Sequence, residues 1–227
     1  MSRRGSGFTL IETLIYAVLL GMLLSGVYSA FSVSSLYWDS AQGTTEAQQE
    51  CLRAMNGVNR VLSQGNASSL TVFTYGSPPH RAVTGFLVLS ARTAAGPFQH
   101  DASGEILWQR WVAVYLEPDA VTNGRKLREL RVREQLITPT ASPPPVPTVN
   151  SIINASISAT SPAPMVLARS VGSEEGSADP KPGLVLSGGG GGGAGSLVGP
   201  YTITTETRSR KFGLNRMSVN STVLMHN

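Results

Sequence analysis

Phe8–Trp38 reads FTLIETLIYAVLLGMLLSGVYSAFSVSSLYW and contains one charged residue, Glu12. From Thr13 to Trp38 there are 26 consecutive uncharged positions. A helix rising about 1.5 Å per residue crosses the hydrocarbon layer in about 20 residues, so this stretch is long enough to span a membrane. The seven residues before it, MSRRGSG, are short and basic. Arg3 and Arg4 stand ahead of the apolar stretch and the long remainder follows it. The bias of basic residues to the cytoplasmic side therefore places the N-terminus inside and the body outside. A cleaved secretory signal is the rival explanation. The apolar stretch is long for a signal h-region, and the small residues Gly21, Ser25, Gly26 and Ser29 offer no convincing cleavage site, so a continuing helix is the simpler reading.

Glu12 admits two explanations. A carboxylate deep in lipid costs about 2.5 kcal/mol or more, which by default marks a functional residue in need of a partner. In the first helical turn it would instead sit near the headgroups, where the helix dipole favours a negative charge. The residues Gly7-Phe8-Thr9-Leu10-Ile11-Glu12-Thr13-Leu14-Ile15 resemble the class III signal of type IV prepilins and type II secretion pseudopilins. The likeness consists of a short basic leader ending in Gly, an aromatic first mature residue, Glu at the fifth mature position and an uninterrupted apolar helix. The resemblance implies cleavage between Gly7 and Phe8 by prepilin peptidase and N-methylation of Phe8. It also implies a single-pass subunit in the inner membrane with its N-terminus cytoplasmic. In that family the Glu at the position of Glu12 is thought to neutralise the N-terminal amine of a neighbouring subunit. A carboxylate and an ammonium in a low-dielectric bundle attract strongly if they meet, and each is costly alone. One departure from many major pilins is the lack of a mid-helix proline, since the first proline is Pro78 and only Gly21 and Gly26 interrupt the run.

The remainder of the 227 residues bounds the answer. At 41% hydrophobic and 14% charged, the chain has apolar material for one sizeable core, not for several domains. Gly and Pro together make 38 residues (24 and 14), so part of the length is loop. The net charge of +4 includes Arg3 and Arg4, and residues 101–227 are nearly balanced; a nucleic-acid partner is not expected. One cysteine, Cys51, cannot close an intrachain disulfide, and with only His80, His100 and His226 it cannot build a usual zinc site. No nucleophile-base-orienter set is visible, so neither an enzyme nor a resident cofactor is expected.

After Asp39 the composition turns polar, and Ala47, Cys51, Met55, Val58 and Leu62 recur at helical spacing, with Glu46, Glu50, Arg53 and Arg60 between them. This predicts an amphipathic continuation of the helix to a stop at Gly65-Asn66, about 80 Å from Phe8 if unbroken. Cys51 falls on the apolar stripe, where a buried thiol packing as a small hydrophobe is expected. Beyond residue 66, strands are expected at Leu70–Tyr75, Ala82–Ser90, Ile106–Glu117 and Leu127–Ile137. The third is covered on both faces and forms a hairpin with the fourth, for which a helix with Leu127, Leu130 and Glu134 on one side is the alternative that the hairpin context disfavours. Arg128, Arg131 and Arg133 are interleaved with Glu129 and Glu134, which reads as a solvated sheet face. Thr138–Thr148 is a Pro-rich surface connection, and Gly188–Gly193 is a flexible loop that lacks the Lys-Ser or Lys-Thr of a phosphate loop. Further strands are expected at Met165–Ser170, Leu184–Ser187, Leu197–Thr205 and the C-terminal end. Glu174, Glu175 and Asp179 share a loop, but not at EF-hand spacing, so no metal site is assigned.

The fold expected from these parts is α+β and pilin-like: a long N-terminal α-helix packed on an antiparallel β-sheet body with long Pro/Gly-rich loops. Its divisions are a leader at 1–7, an apolar membrane and assembly helix at 8–38, an amphipathic continuation at 39–64 and a β-rich body at 65–227. With the resemblance, the function expected is that of a minor pilin that initiates, caps or decorates a type IV pilus. The alternatives are a minor pseudopilin of a type II secretion or DNA-uptake system and, more remotely, a single-span adhesin or enzyme with a pilin-like address. The partners implied are other pilin or pseudopilin subunits, prepilin peptidase, the inner-membrane assembly platform and membrane lipid.

Overall fold

The computed structural model of the chain describes residues 9–75, 83–92, 98–118, 128–169, 171, 184–188, 201–208 and 216–223. The chain divides into two compact units, Met1–Gln42 and Gly43–Asn227. A single helix, α1 (Leu10–Ser63), contributes to both. In the first unit α1 is the only described element, and it runs without interruption through Gly21 and Gly26. Its C-terminal end falls two residues before Gly65, where the sequence placed the stop, and Asn66 then accepts from the Ser68 amide at 2.7 Å to open a single 3-10 turn.

The second unit is built around the last part of α1. Gly43, Ala47, Cys51, Ala54, Met55, Val58 and Leu62 are its buried residues, so all five members of the predicted apolar stripe are in the core. Five strands form one antiparallel sheet in sequential order: β1 (Thr71–Tyr75), β2 (Val83–Ser90), β3 (Trp108–Pro118), β4 (Arg128–Thr140) and β5 (Met165–Ala168). A second antiparallel sheet holds β6 (Leu184–Gly188), β7 (Tyr201–Arg208) and β8 (Arg216–Val223). The antiparallel β body thus consists of two sheets. One core cluster joins Val58 and Leu62 of α1 to Val112, Val114 and Leu116 of β3 and to Leu184, Leu186 and Ile203 of the second sheet. The helix is therefore tied to both sheets by burial. Buried polar contacts lie between helix and second sheet, among them Thr207 Oγ1 donating to Ala47 O at 2.6 Å and Cys51 Sγ at 3.4 Å from Thr205 Oγ1.

β3 is covered on both faces, as its sequence predicted. Strand alternation sends Val112, Val114 and Leu116 toward α1 and sends Trp111, Ala113 and Tyr115 into a second cluster with Leu87, Leu89, Ile152 and Ile153. The two isoleucines belong to α2 (Val149–Ile153), a five-residue helix that follows the Pro-rich connection. β3 and β4 pair from Trp108↔Thr140 to Pro118↔Arg128, so the expected hairpin is present.

The expected solvated arginine face is corrected. Arg128, Glu129 and Arg133 are buried, at 8%, 5% and 6% exposure. Arg133 Nη1 donates to Ile153 O at 2.6 Å, and its Nη2 donates to Ala155 O, fixing the segment after α2 against the sheet. Arg131 is part-buried, with Glu117 at 2.5 Å across the hairpin and Glu129 at 2.8 Å on its own strand. Burial disfavours its charge, but the hydrogen bond to Glu129 and the neighbouring carboxylates outweigh burial and raise its pKa. These guanidiniums are spent inside the fold, and the reason is geometric: carbonyls 20 and 22 residues away in sequence come to lie beside Arg133.

Candidate functional site

The first unit presents the candidate site, the start of α1 and the apolar run behind it. Thr9 stands immediately before the helix. Its Oγ1 accepts from the Glu12 amide at 3.3 Å and donates to Glu12 Oε2 at 3.4 Å, while Thr9 O accepts from the amides of Glu12 and Thr13 at 3.1 and 3.2 Å. Thr9-Leu10-Ile11-Glu12 has the S/T-x-x-E spacing of a capping box, and its hydroxyl half is formed: the Thr9 hydroxyl takes the Glu12 amide, while the Glu12 carboxylate accepts from that hydroxyl. Such a cap contributes about 1 kcal/mol to the helix. The pattern is legible in the sequence and gives Glu12 a local structural role besides the two already weighed. Glu12 lies in the first turn of α1 and is exposed.

Behind this turn the side chains are apolar on every face. An 18-residue window of α1 has a mean hydropathy of 2.0, and none of it is buried. Leu19, Leu23, Val27, Phe31 and Trp38 all have more than half of their surface open. A helix that is apolar all round belongs in a core or a membrane. Two serines within it are satisfied locally: Ser32 Oγ donates to Ser29 O at 2.9 Å and Ser35 Oγ to Ser32 O at 2.8 Å. Among the described residues nothing lies within 4 Å of where a Cβ would stand at Gly21 or Gly26, outside the helix's own backbone, so no contact there requires glycine at either position.

Gly7 and Phe8, the expected cleavage and methylation positions, lie outside the described residues, as do His80, His226, most of the Gly188–Gly193 run and the loop with Glu174, Glu175 and Asp179. Cys51 is fully buried, and its thiol donates to Thr205 O at 3.6 Å. It packs as the stripe predicted. Among the described residues no three His, Cys, Asp or Glu side chains come together as a metal site.

No curated protein and no solved structure matches the chain. Residues 2–28 match the prokaryotic N-terminal methylation motif. That motif points to a structural subunit, and as a class III signal it implies interaction with other pilins and with prepilin peptidase. With the matched motif at residues 2–28 and an exposed apolar helix running on behind it, the chain fits the type IV pilin and pseudopilin family.

Proposed function

We propose that this chain is a minor pilin, held in the inner membrane by residues 8–38 with its N-terminus cytoplasmic, and then assembled into a type IV pilus that it helps to initiate, cap or decorate. The observation that carries the reading is the methylation motif at residues 2–28 continued by a helix whose apolar side chains are exposed among the described residues. In this reading prepilin peptidase cuts between Gly7 and Phe8, Phe8 is methylated, and the Glu12 carboxylate receives the Phe8 amine of a neighbouring subunit. The length of the chain and its loop-rich body support a minor role over that of a repeating shaft subunit.

Two measurements test it. Intact-mass analysis of membrane and sheared-filament fractions is expected to show a chain beginning at methylated Phe8, and retention of Met1–Gly7 there overturns the processing. Glu12→Gln then separates charge from capping, because Gln also serves at the third position of a capping box. Membrane insertion and leader cleavage are expected to be unchanged. Incorporation into filaments is expected to fall by roughly two to four orders of magnitude, since an unpaired buried charge costs about 3–5 kcal/mol. Normal incorporation at wild-type expression would leave Glu12 with its capping role alone.

A further inference from the structure

Two surface features of the second unit lie at one end of the β3–β4 hairpin and match each other in kind. The first is the Pro-rich connection after β4, Ala141–Thr148 (ASPPPVPT). Its four prolines each hold φ near −65°, and a residue that precedes proline is kept out of the helical region, so the run is confined to polyproline II. Thr148 has φ −68° and ψ 136°, and Val146, with the one N–H between 143 and 147, makes no hydrogen bond among the described residues. Both are marks of that helix. Its period of three shows in the exposure: Pro144 and Pro147 are part-buried, while Pro143, Pro145 and Val146 stand out, Val146 at 53%. Both ends are fixed. Thr140 pairs with Trp108 and its Oγ1 donates to Ser142 O at 3.1 Å, while Ser151 Oγ donates to Thr148 O at 2.6 Å and Ile152 and Ile153 anchor α2 in the core. The run is a preformed ridge with little entropy left to lose.

The second feature is a cleft of about 280 Å³ beside the end of α1, lined by Phe98, His100, Ile106 and Trp108. Phe98 and Ile106 are 40% and 39% exposed. These side chains are positioned in advance. The Arg92 guanidinium lies 4.7 Å from the centre of the Phe98 ring, β-bridges pair Arg92 with Phe98 and His100 with Ile106, and His100 Nδ1 lies 3.2 Å from Gly104 O. Trp108 stands opposite Thr140 in the sheet, so cleft and ridge start from paired residues. No residue of Ala141–Thr148 lines the cleft, and the chain's own ridge leaves it open.

We propose that the ridge of one copy docks in the aromatic cleft of a second copy, with Pro143, Pro145 and Val146 packing on Phe98, Ile106 and Trp108. A polyproline helix laid in an aromatic-lined groove is a recurring mode of recognition, and proline loses no side-chain freedom in it. The contact covers apolar surface that meets water on both copies. Because ridge and cleft stand side by side, a pair of copies exchanges ridges, and the interface is self-complementary. It involves the second unit alone and holds whichever filament the chain joins.

The test uses the full chain in lipid nanodiscs loaded with one copy each, which keeps the apolar helices apart and lets only the bodies meet. Sedimentation velocity is expected to show association of the wild type with a dissociation constant at or below about 100 μM. Val146→Asp breaks the ridge and Ile106→Asp breaks the cleft, each by a charge in the apolar contact, and each is expected to weaken self-association at least about tenfold. Both positions are exposed, so unfolding midpoints are expected to match that of the wild type. Mixed with each other, the two variants bring an intact ridge to an intact cleft, and the mixture is expected to associate at least about threefold more tightly than either alone. Both substitutions add the same charge, so attraction between opposite charges does not mimic the rescue. A labelled peptide of residues 140–149 probes the cleft by itself. It is expected to bind the wild type and Val146→Asp but not Ile106→Asp, with the mirror-image D-peptide as the control that does not bind. No association of the wild type at about 200 μM, undiminished association of either variant, or a mixture no tighter than its parts would each overturn the proposal. Peptide binding without association of the copies would also overturn it, and would give the cleft to a proline-rich segment of another protein.

Discussion

The helix α1 passes through two regimes that differ in what surrounds the same backbone. Between Leu10 and Trp38 its one charge is Glu12 and its large apolar side chains are open on every face. Between Gly43 and Ser63 charged residues return, and most apolar residues lie on a buried stripe, with Leu52 left outside it. Both halves satisfy their backbone internally, as any helix does, so hydrogen bonding does not tell them apart. The side chains do. The second half is stabilised within its own fold by the two sheets, whereas the first is left uncovered by the described residues, and lipid or other chains would remove its apolar surface from water. Substitutions in the two halves should therefore be felt in different assays.

The largest effect expected from this contrast uses one residue type twice. Phe86 of β2 is 1% exposed in the core cluster with Val58 and Leu62, and Phe31 of α1 is 73% exposed. Phe86→Ala is expected to lower the unfolding free energy of the body by about 3–5 kcal/mol, the usual cost of such a truncation. Denaturant unfolding of the full chain in detergent micelles, followed by tryptophan fluorescence, would measure it. Phe31→Ala is expected to leave that transition within about 0.5 kcal/mol of wild type, as for a largely exposed position. A loss above about 1 kcal/mol at Phe31 would break the contrast by showing that the apolar half supports the body.

What could be read from the sequence follows the same division. The apolar run needs only a count of uncharged positions, and the stripe from Ala47 to Leu62 needs only the helical period; both survive without knowledge of distant residues. Strands with local signals, such as Leu70–Tyr75 and the β3–β4 hairpin, were placed to within about three residues, the usual uncertainty of such boundaries. What depends on long-range placement was not legible. α2 is five residues, too short to show a period, although Ile152 and Ile153 after a Pro-rich run were a clue to burial. The fate of Arg133 depends on carbonyls beyond α2, and charge interleaving along one strand cannot report them. The separation of β6–β8 into their own sheet is likewise a fact of tertiary pairing. At the candidate site the Thr9–Glu12 cap lay in the sequence as a recognised pattern, overshadowed by the charge of Glu12 itself.

Cys51 sharpens the comparison at a single atom. It lies in the half of α1 that the body encloses, with 0% exposure, while its neighbour Leu52 faces outward at 55%. A maleimide is expected to label native Cys51 only through opening of the body. Its rate should fall about a thousandfold or more below that of a cysteine placed at position 52 in a Cys51→Ala background, given ordinary domain stabilities. Comparable rates would mean that this part of the core opens on its own. Cys51→Ala itself should cost only about 1 kcal/mol, since the thiol acts there as a small apolar group with weak hydrogen bonds.

The smallest effect concerns a turn at the edge of the body, where a carboxylate meets water as the side chains of the enclosed stripe do not. Asp101 Oδ1 accepts from Ser103 Oγ at 2.6 Å, from the Ser103 amide at 2.9 Å and from the Glu105 amide at 2.8 Å, and Gly104 closes the turn at φ +85°. These hydrogen bonds, that of the Ser103 side chain foremost, favour the ionised form and hold the Asp101 carboxyl below its ordinary value of 3.8. A carboxylate whose folded pKa is lowered contributes stability that is fully present above the unfolded pKa. It loses that contribution as pH falls through the folded one, so the turn should loosen only below pH 3.8. Amide hydrogen exchange of residues 100–106, corrected for its intrinsic pH dependence, is expected to accelerate in that window in the wild type. Asp101→Asn keeps an acceptor oxygen but no titratable group, and should show a turn that is weaker at neutral pH and without an acid step. If the acid step persists in Asp101→Asn, the loosening belongs to other carboxylates and the turn is not an independent unit at the rim of the body.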